Sequence, residues 1–142
     1  MREKIQAVQS QLLEVAASVI LENKDTLIAM VIDQQYNQSV DSTGEPLRAY
    51  SLRYTKHKEL AGHYRGKTDF NDTGEFHSLF NVAIDGEMYI IESPARTDKG
   101  ELKSEWLENW NGAPIMDLTP ENREIAKEEL SPKFAEKLAE MI

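Results

Sequence analysis

The feature that most restricts the fold of this chain is a β-hairpin pattern at residues 80–91. Two short runs rich in apolar residues, Phe80–Ile84 and Glu87–Ile91, are separated by Asp85-Gly86. An Asp-Gly pair supplies the positive φ angles that the two central residues of a tight hairpin turn require. The pattern therefore predicts two antiparallel strands with Asp85 and Gly86 at the turn.

The predicted turn also defines a register. One face would carry five apolar side chains at three cross-strand positions: Phe80 with Ile91, Val82 with Tyr89, and Ile84 opposite Glu87. The other face is less apolar and pairs Ala83 with Met88 and Asn81 with Ile90. Because antiparallel sheets commonly bury only one face, the first face is predicted to join the core. The second face could meet solvent or another subunit.

Helical periodicity precedes the hairpin. Apolar residues at gaps of three and four predict a helix over residues 3–21, with one stripe formed by Ile5, Val8, Leu12, Val15 and Val19. A second helix is predicted over residues 24–38, with Asn23 or Asp25 as its N-cap. Its apolar face consists of Leu27, Ile28, Val31 and Ile32. Turn-forming residues then predict a surface loop at 39–46.

A short helical turn is predicted immediately before the hairpin. Asp72 or Thr73 would cap this turn, and Phe76 and Leu79 would enter the core. Gly74 would allow the tight backbone between the cap and the turn.

Further helices are predicted after the hairpin. Residues 101–109 favour a short helix with an aromatic-rich face, interpreted chiefly as core, that consists of Leu102, Trp106, Leu107 and Trp110. Thr119-Pro120 and Ser131-Pro132 each place a capping hydroxyl before a proline. Proline is favoured at the first helical position, so two closing helices are predicted to start at 120 and 132.

Together these segments predict one α+β domain over residues 1–142. N-terminal helices (1–38) would pack on a small antiparallel sheet whose central hairpin spans about residues 79–92. A loop with a short helix (39–78) lies between them, and 101–142 are predicted to be mainly helical. A chain of 142 residues is long enough to bury one core.

Charge and cysteine content exclude several classes of protein. The chain has 16 Lys+Arg against 25 Asp+Glu, a net charge of -9, and no cysteine. The negative charge disfavours general affinity for nucleic acid and for anionic membranes. The lack of cysteine excludes disulfide scaffolds, zinc ribbons and thiolate nucleophiles. No run approaches the ~20 apolar residues that span a bilayer, and the first residues lack a signal-peptide pattern, so no membrane association is predicted.

One segment departs from this acidic character. Residues 48–67, hereafter the basic segment, carry six Lys/Arg and one Asp/Glu, interleaved with Tyr50, Tyr54 and Tyr64. Such a mixture could contact phosphate and stack on bases. It could also be a solvated or interface face that pairs with acidic segments of this protein, in a neighbouring copy or a partner ring. We favour the second interpretation, because the net charge opposes nucleic acid. The candidate interface residues are Arg48, Arg53, Lys56, Lys58, Arg65, Lys67, Trp106 and Trp110.

Three partial motifs suggest chemistry, and none is complete. Residues 66–68 end like a phosphate-binding P-loop but lack the upstream glycine at the required spacing. Residues 69–75 imitate the first half of a calcium loop, yet its twelfth position is Phe80 rather than glutamate. His77 beside Glu75 could form an acid–base couple, which leaves a metal-assisted hydrolase as a third hypothesis. We predict that the chain is not an enzyme and needs no cofactor or metal.

Three further blocks occur in a characteristic order. The first, within residues 35–58, combines a helix end, a D-x-x-G-x-P turn and a threonine followed by lysine. The second is the stretch N-D-T-G-E-F-H-S at residues 71–78, which leads into the hairpin. The third, 113–121, is an apolar stretch that ends in L-T-x-E before a closing helix. In this order the blocks resemble the virion-morphogenesis and tail-completion proteins of long-tailed bacteriophages, the Mu-like group and its relatives.

The resemblance implies an α+β fold that assembles as a homo-oligomeric ring at the head-tail junction, as a tail-completion or neck protein. The function of such a ring is geometric: it joins tail to head, contacts other neck, portal or tail proteins, and leaves a lumen for DNA. The resemblance also implies that the protein is located in the virion, and in the host cytoplasm during assembly. The family has no catalytic residues to transfer to this chain.

The charge distribution indicates which residues would line such a lumen. DNA adheres wherever Lys and Arg replace its counterions, so a passage lined by carboxylates would let DNA slide without specific binding. The carboxylates on or near the hairpin tip are the candidates: Asp72, Glu75, Asp85 and Glu87. The same residues could equally be solvated on the outside of the ring.

Overall fold

The computed structural model describes the backbone of residues 2–71 and 73–140, and the side chains from residue 9 onward within those ranges. In chain order its elements are α1 (Arg2–Glu22), α2 (Lys24–Asp33), a π-helical segment (Gln34–Gln38), α3 (Leu52–Leu60), α4 (Glu75–Ser78), β1 (Asn81–Asp85), β2 (Met88–Glu92), α5 (Lys103–Asn111) and α6 (Pro120–Glu140). The two strands pair antiparallel. The predicted α+β class, with N-terminal helices before a hairpin and C-terminal helices after it, is confirmed.

The first predicted helix is α1. Val15 and Val19 of its apolar stripe are buried, whereas Leu12 is 37% exposed. Ile5 and Val8 of the same stripe lie outside the described side chains. Among the described residues, no helix combines the length and the apolar content that crossing a bilayer requires.

The last helix, α6, packs along α1. Polar side chains join the two helices near the end of α1: Lys133 Nζ donates to Asn23 Oδ1 over 2.7 Å, and Lys137 Nζ donates to Ser18 Oγ over 2.8 Å. Lys137 also forms a salt bridge with Glu22. The first and last helices of the described chain are therefore held together near the C-terminal end of α1.

The prediction of two closing helices is wrong in its second part. A single helix, α6, runs from Pro120 through Pro132 to Glu140. Its start is as predicted, since Thr119 Oγ1 accepts the Asn122 N–H over 3.2 Å. Ser131 does not cap a new helix, because its hydroxyl donates instead to the Lys127 carbonyl one turn earlier, over 2.6 Å. Proline already has a helical φ angle, so the chain continues beyond it at the cost of one backbone hydrogen bond.

The second predicted helix is formed by α2 and the π-helical segment that continues it. Leu27 and Val31 are buried on its apolar face. Asn23 stands at the predicted N-cap position, but its side chain does not cap α2, because Nδ2 donates to the Val19 carbonyl over 2.7 Å. The helix therefore starts where the sequence indicated, without the predicted side-chain hydrogen bond.

Two glutamines in the π-helical segment are completely buried. Gln34 Oε1 accepts the Thr119 N–H over 2.9 Å and the Asn122 amide over 2.7 Å. Gln35 Nε2 donates to the Ile115 carbonyl over 2.7 Å. Because a buried amide must be hydrogen-bonded to be tolerated, these contacts fix the segment before α6 against the end of the α2 helix.

The hairpin forms, but its predicted register is wrong. The observed pairs are Val82 with Ile91, Ile84 with Tyr89, and Asp85 with Met88. The two turn residues are therefore Gly86 and Glu87 rather than Asp85 and Gly86. Of the two, only Gly86 has a positive φ, +62°, and glycine at the first central position is the arrangement of a type II′ turn.

The predicted core face of the hairpin survives this correction. The register differs from the predicted one by two positions, and side chains alternate between faces with a period of two. Phe80, Val82 and Ile91 are accordingly buried on one face, with Tyr89 packed against them. The pairs on the opposite face are Ala83 with Ile90, Asn81 with Glu92, and Asp85 with Met88.

Helix α4 and the loops around it match the predictions in part. Phe76 is buried as predicted, but Leu79 is 39% exposed, so its predicted place in the core is wrong. Thr73 Oγ1 accepts the Glu75 N–H over 3.3 Å, while Asp72, the alternative cap, lies outside the described residues. The predicted loop at 39–46 is present and folds back on itself through a bridge between its ends.

A single apolar cluster joins the α2 helix, the hairpin and the C-terminal segments. Its buried members are Leu27, Val31, Leu47, Phe70, Phe76, Phe80, Val82, Ile91, Ala95, Leu107, Ile115, Leu118 and Ala126. Helix α5 contributes Leu107 and begins and ends two residues later than predicted. Neither α1 nor α3 contributes a buried member to this cluster, although Ile20 of α1 packs against it.

Candidate functional site

The basic segment contains a helix, α3, that the sequence did not predict. Its N-cap is Ser51, whose hydroxyl accepts the Tyr54 N–H over 3.2 Å. Lys58 is the only buried side chain of this helix. Helix α3 is therefore attached to the molecule through a charged residue rather than through an apolar stripe.

Lys58 forms an ion pair with Asp69 inside the protein. Lys58 Nζ lies 3.0 Å from Asp69 Oδ1, and the two side chains are 1% and 0% exposed. The ammonium also donates to the Asn71 carbonyl over 2.9 Å and lies 4.7 Å from the centre of the Tyr50 ring. A buried charge needs such partners, because moving it from water into the interior is costly.

Tyr50 organises the backbone beneath this pair. Its hydroxyl accepts the Phe70 N–H over 3.0 Å and the Asp69 N–H over 3.3 Å, and donates to Asp69 Oδ1 over 3.3 Å. Burial, together with the negative charge of Asp69, raises the pKa of Tyr50 to about 12. The hydroxyl therefore keeps its proton and helps to hold Phe70 in its positive φ of 54°.

Arg65 lies beside the Asp69 carboxylate of this ion pair. Its guanidinium lies 3.6 Å from Asp69 Oδ2, an oxygen that has no hydrogen bond, and 3.7 Å from the centre of the Tyr36 ring. It also donates to the Tyr36 carbonyl over 2.9 Å. Arg65 thus links the basic segment to the π-helical segment.

Two more predicted interface cations bind their own chain. Arg48 lies 5.2 Å from the centre of the Trp110 ring and donates to the Trp110 carbonyl over 3.0 Å. Lys67 Nζ donates to the Asn37 carbonyl. The predicted interface set is corrected most strongly at Lys58, which is buried and cannot reach a partner.

Two cations of the basic segment, Arg53 and Lys56, are exposed on α3 together with two leucines. Leu52 is 83% exposed and Leu60 is 90% exposed. Leu52, Lys56 and Leu60 are spaced by four residues and so form one stripe along α3. Successive residues of a helix differ by about 100° around its axis, and Lys58 is two residues from Lys56. This places the stripe opposite Lys58. We name Leu52, Arg53, Lys56 and Leu60 the α3 outer face.

The two tryptophans of the predicted interface differ in burial. Trp110 packs against the core and stacks on Tyr50, with ring centres 6.1 Å apart. Trp106 is 48% exposed. The aromatic face of α5 is therefore part core and part surface.

The predicted lumen carboxylates are surface groups where the structure describes them. Asp85, Glu87 and Glu75 are exposed, and Asp72 lies outside the described residues. Asp85 stands beside Met88 on the solvent side of the hairpin. The structure brings Asp85 and Glu87 together at the hairpin tip.

That solvent side is partly apolar. Met88 is 68% exposed and Ile90 is 39% exposed, and both alternate with acidic residues on the same face of the sheet. We name Ala83, Asp85, Met88, Ile90 and Glu92 the hairpin outer face.

His77 belongs to the interior rather than to an acid–base couple. Its Nε2 lies 2.9 Å from Gln35 Oε1, and its ring packs against Phe76 and Phe80. Burial lowers the pKa of His77 to about 4, so the imidazole is neutral near pH 7. Glu75 lies at the surface. Within the described residues, no group of three or more His, Asp or Glu side chains has the arrangement of a metal site.

The α3 outer face is the feature that sequence reasoning missed. The signal was present in Ser51, a good N-cap, and in the four-residue spacing of Leu52, Lys56 and Leu60.

Comparison of the chain with protein-family models, with curated proteins and with solved structures found no match.

Proposed function

We propose that this chain is a structural protein of a tailed bacteriophage or prophage. Copies of it assemble into a ring at the head-tail junction, where the ring joins tail to head and lets DNA pass. The observation that carries the proposal is the α3 outer face, which presents two almost fully exposed leucines next to two exposed cations.

Exposed leucines of this kind indicate a protein interface. Burying a leucine side chain is worth about 1.5–3 kcal/mol, so a pair of them is a strong incentive for association. The helix that carries them is anchored through the buried Lys58–Asp69 pair. A surface that is already ordered loses little conformational entropy when a partner binds, which favours assembly.

The resemblance of the three sequence blocks supports the location of that assembly. The blocks lie within 35–121, the part of the chain that contains α3, the hairpin and the segment before α6. A junction ring needs no catalytic chemistry and no cofactor. It needs surfaces that fit its own copies and the adjoining portal, neck or tail proteins.

Passage of DNA is the second requirement of such a ring. We propose that the carboxylates of Asp85 and Glu87, together with those of Glu75 and Asp72, face the lumen. Carboxylates do not replace the counterions of a phosphate backbone, so DNA would slide past them. The protein would then be found in the virion, and in the host cytoplasm while virions assemble.

Deletion of the gene tests the proposal in the phage or prophage that carries it. We expect electron microscopy of the lysate to show DNA-filled heads and separate tails, with infectivity restored by the wild-type gene in trans. Intact, infectious particles from the deletion strain would overturn the proposal.

A nucleic-acid-binding module remains the second candidate for the basic segment. It depends on Arg53 and Lys56, since Arg48, Lys58, Arg65 and Lys67 bind groups of their own chain. Fluorescence anisotropy with labelled DNA and RNA at low and moderate salt separates the two candidates. Binding that weakens steeply with salt, and that disappears in Arg53→Glu/Lys56→Glu, would favour the module.

A further inference from the structure

We propose that the α3 outer face of one copy docks on the hairpin outer face of a second copy. This inference rests on the proposed function, because it names the pair of surfaces through which the copies meet. It draws on two exposed faces of the same chain whose apolar residues and charges are matched.

The first face is a helix surface that is apolar and basic. Leu52 and Leu60 are the most exposed large apolar residues in the described chain, and Lys56 lies between them on the stripe. Arg53 lies next to the stripe and is exposed as well. The buried Lys58–Asp69 pair holds α3 from its inner side, and within the described residues neither Arg53 nor Lys56 forms an ion pair.

The second face is a sheet surface that is apolar and acidic. Met88 and Ile90 are exposed on it, and the cross-strand partner of Met88 is Asp85. Glu92 extends the same face at the other end of β2. A helix can lie across such a sheet face, with its leucines on the apolar residues and its cations beside the carboxylates.

The two faces fit each other better than either fits itself. Two α3 outer faces would bring Arg53 and Lys56 against like charges, and two hairpin outer faces would oppose Asp85 and Glu92. Like charges placed together cost several kcal/mol, whereas opposite charges fix orientation and speed association. The favoured contact is therefore between different faces of two copies.

A contact of this type has a structural consequence. When two different faces meet, the copies at the two ends of the assembly each still have one unpaired face. Further copies therefore add until the assembly closes as a ring or extends as a filament. A self-complementary contact would instead stop at a dimer. The charge pattern of this chain thus selects head-to-tail association.

Cross-linking tests which faces meet. The chain has no cysteine, so Leu52→Cys, Leu60→Cys, Met88→Cys and Ile90→Cys each introduce a single thiol. Pairs of variants, one of them carrying a mass tag, are mixed and treated with a short flexible bismaleimide. We expect helix–hairpin products to exceed helix–helix and hairpin–hairpin products. Ile125→Cys, an exposed position on α6, is the control that should give only the background level.

Two results of this experiment would overturn the inference. A preference for helix–helix products would mean that copies meet through like faces. Products no more abundant than those of Ile125→Cys would mean that these faces do not meet at all.

Charge exchange provides the second test. Arg53→Glu/Lys56→Glu and Asp85→Lys/Glu92→Lys should each weaken self-association about tenfold or more, as measured by sedimentation velocity over a range of concentrations. The variant that combines all four changes restores opposite charges across the contact and should recover most of the loss. Glu124→Lys/Lys127→Glu on α6 is the matched control, and circular dichroism verifies that every variant is folded. Absence of recovery in the combined variant would overturn the inference.

The outcomes also separate this inference from the proposed function. If deletion of the gene yields free heads and tails but charge exchange has no effect, copies meet elsewhere and only this inference fails. If charge exchange behaves as expected but the deletion strain makes intact virions, the contact stands and the phage role fails. If Arg53→Glu/Lys56→Glu abolishes sedimentation with anionic vesicles and leaves self-association unchanged, the α3 outer face binds membranes and the inference is wrong.

Discussion

Lys56 and Lys58 lie two residues apart on one helix and have opposite environments. Lys58 is buried, with an ion pair, a carbonyl and an aromatic ring around its ammonium. Lys56 is exposed between two exposed leucines. Both contribute equally to the net charge, yet one holds the helix in place and the other is available to a partner. Counting charges along a sequence therefore overstates how many of them can reach another molecule.

Removal of the buried charge on the inner side of α3 should change stability most. Lys58→Met removes the ammonium and leaves the Asp69 carboxylate buried without it, which should lower the free energy of unfolding by about 3–5 kcal/mol. Lys56→Met is the matched control and should change it by about 0.5 kcal/mol or less. Urea unfolding followed by circular dichroism measures both. Equal effects of the two substitutions would contradict the difference in burial.

Replacing both members of the buried ion pair tests whether Lys58 and Asp69 depend on each other. Lys58→Met/Asp69→Leu exchanges two buried charges for apolar side chains, so no unpaired charge is left inside. We expect the double variant to be more stable than either single variant, with a coupling free energy of about 1–3 kcal/mol in a double-mutant cycle. Additive losses would show that the two side chains do not depend on each other.

Substitution of a neutral buried side chain should have a smaller effect on the free energy of unfolding. Gln34→Leu removes the oxygen that accepts the Thr119 N–H and the Asn122 amide, and leaving such donors unsatisfied costs about 1–3 kcal/mol. Gln38→Leu, at an exposed position of the same π-helical segment, is the control. The same urea experiment applies, and a loss no greater than that of the control would contradict a tethering role.

Protonation of His77 provides a pH-dependent probe of the interior. Burial lowers its pKa from 6.5 to about 4, so between these values the unfolded chain binds a proton that the folded chain does not. Its contribution to stability is therefore full above pH 6.5 and is lost progressively as the pH falls towards 4. Unfolding of the wild type and of His77→Gln at pH 7 and pH 5 isolates this contribution. We expect the wild type to lose more stability than the variant over that interval.

Substitutions on the α3 outer face should change the free energy of unfolding least. Leu60 is 90% exposed, so Leu60→Ser should change the free energy of unfolding by about 0.5 kcal/mol or less. Self-association measured on the same samples should nevertheless weaken, because the leucine is a contact of the proposed interface. A large loss of stability would show that Leu60 packs within its own chain.

Local sequence patterns were sufficient to predict the alternation of the hairpin and the periodicity of α1 and α2. Both depend on local repeats, and the identity of the buried hairpin face persists through a register error of two residues because side chains alternate. The start of α6 at Pro120 is local too, since Thr119 caps it. These features could be predicted because neighbouring residues alone specify them.

The hairpin register, the continuity of α6 and the different environments on the two sides of α3 depend on tertiary contacts. The turn type that pairs Asp85 with Met88 depends on how the strands pack. α6 continues through Pro132 and on along α1. Lys58 is buried because Asp69, eleven residues away, meets it inside the protein. Burial of a charge depends on a partner brought close by folding, and no local pattern distinguishes Lys58 from Lys56.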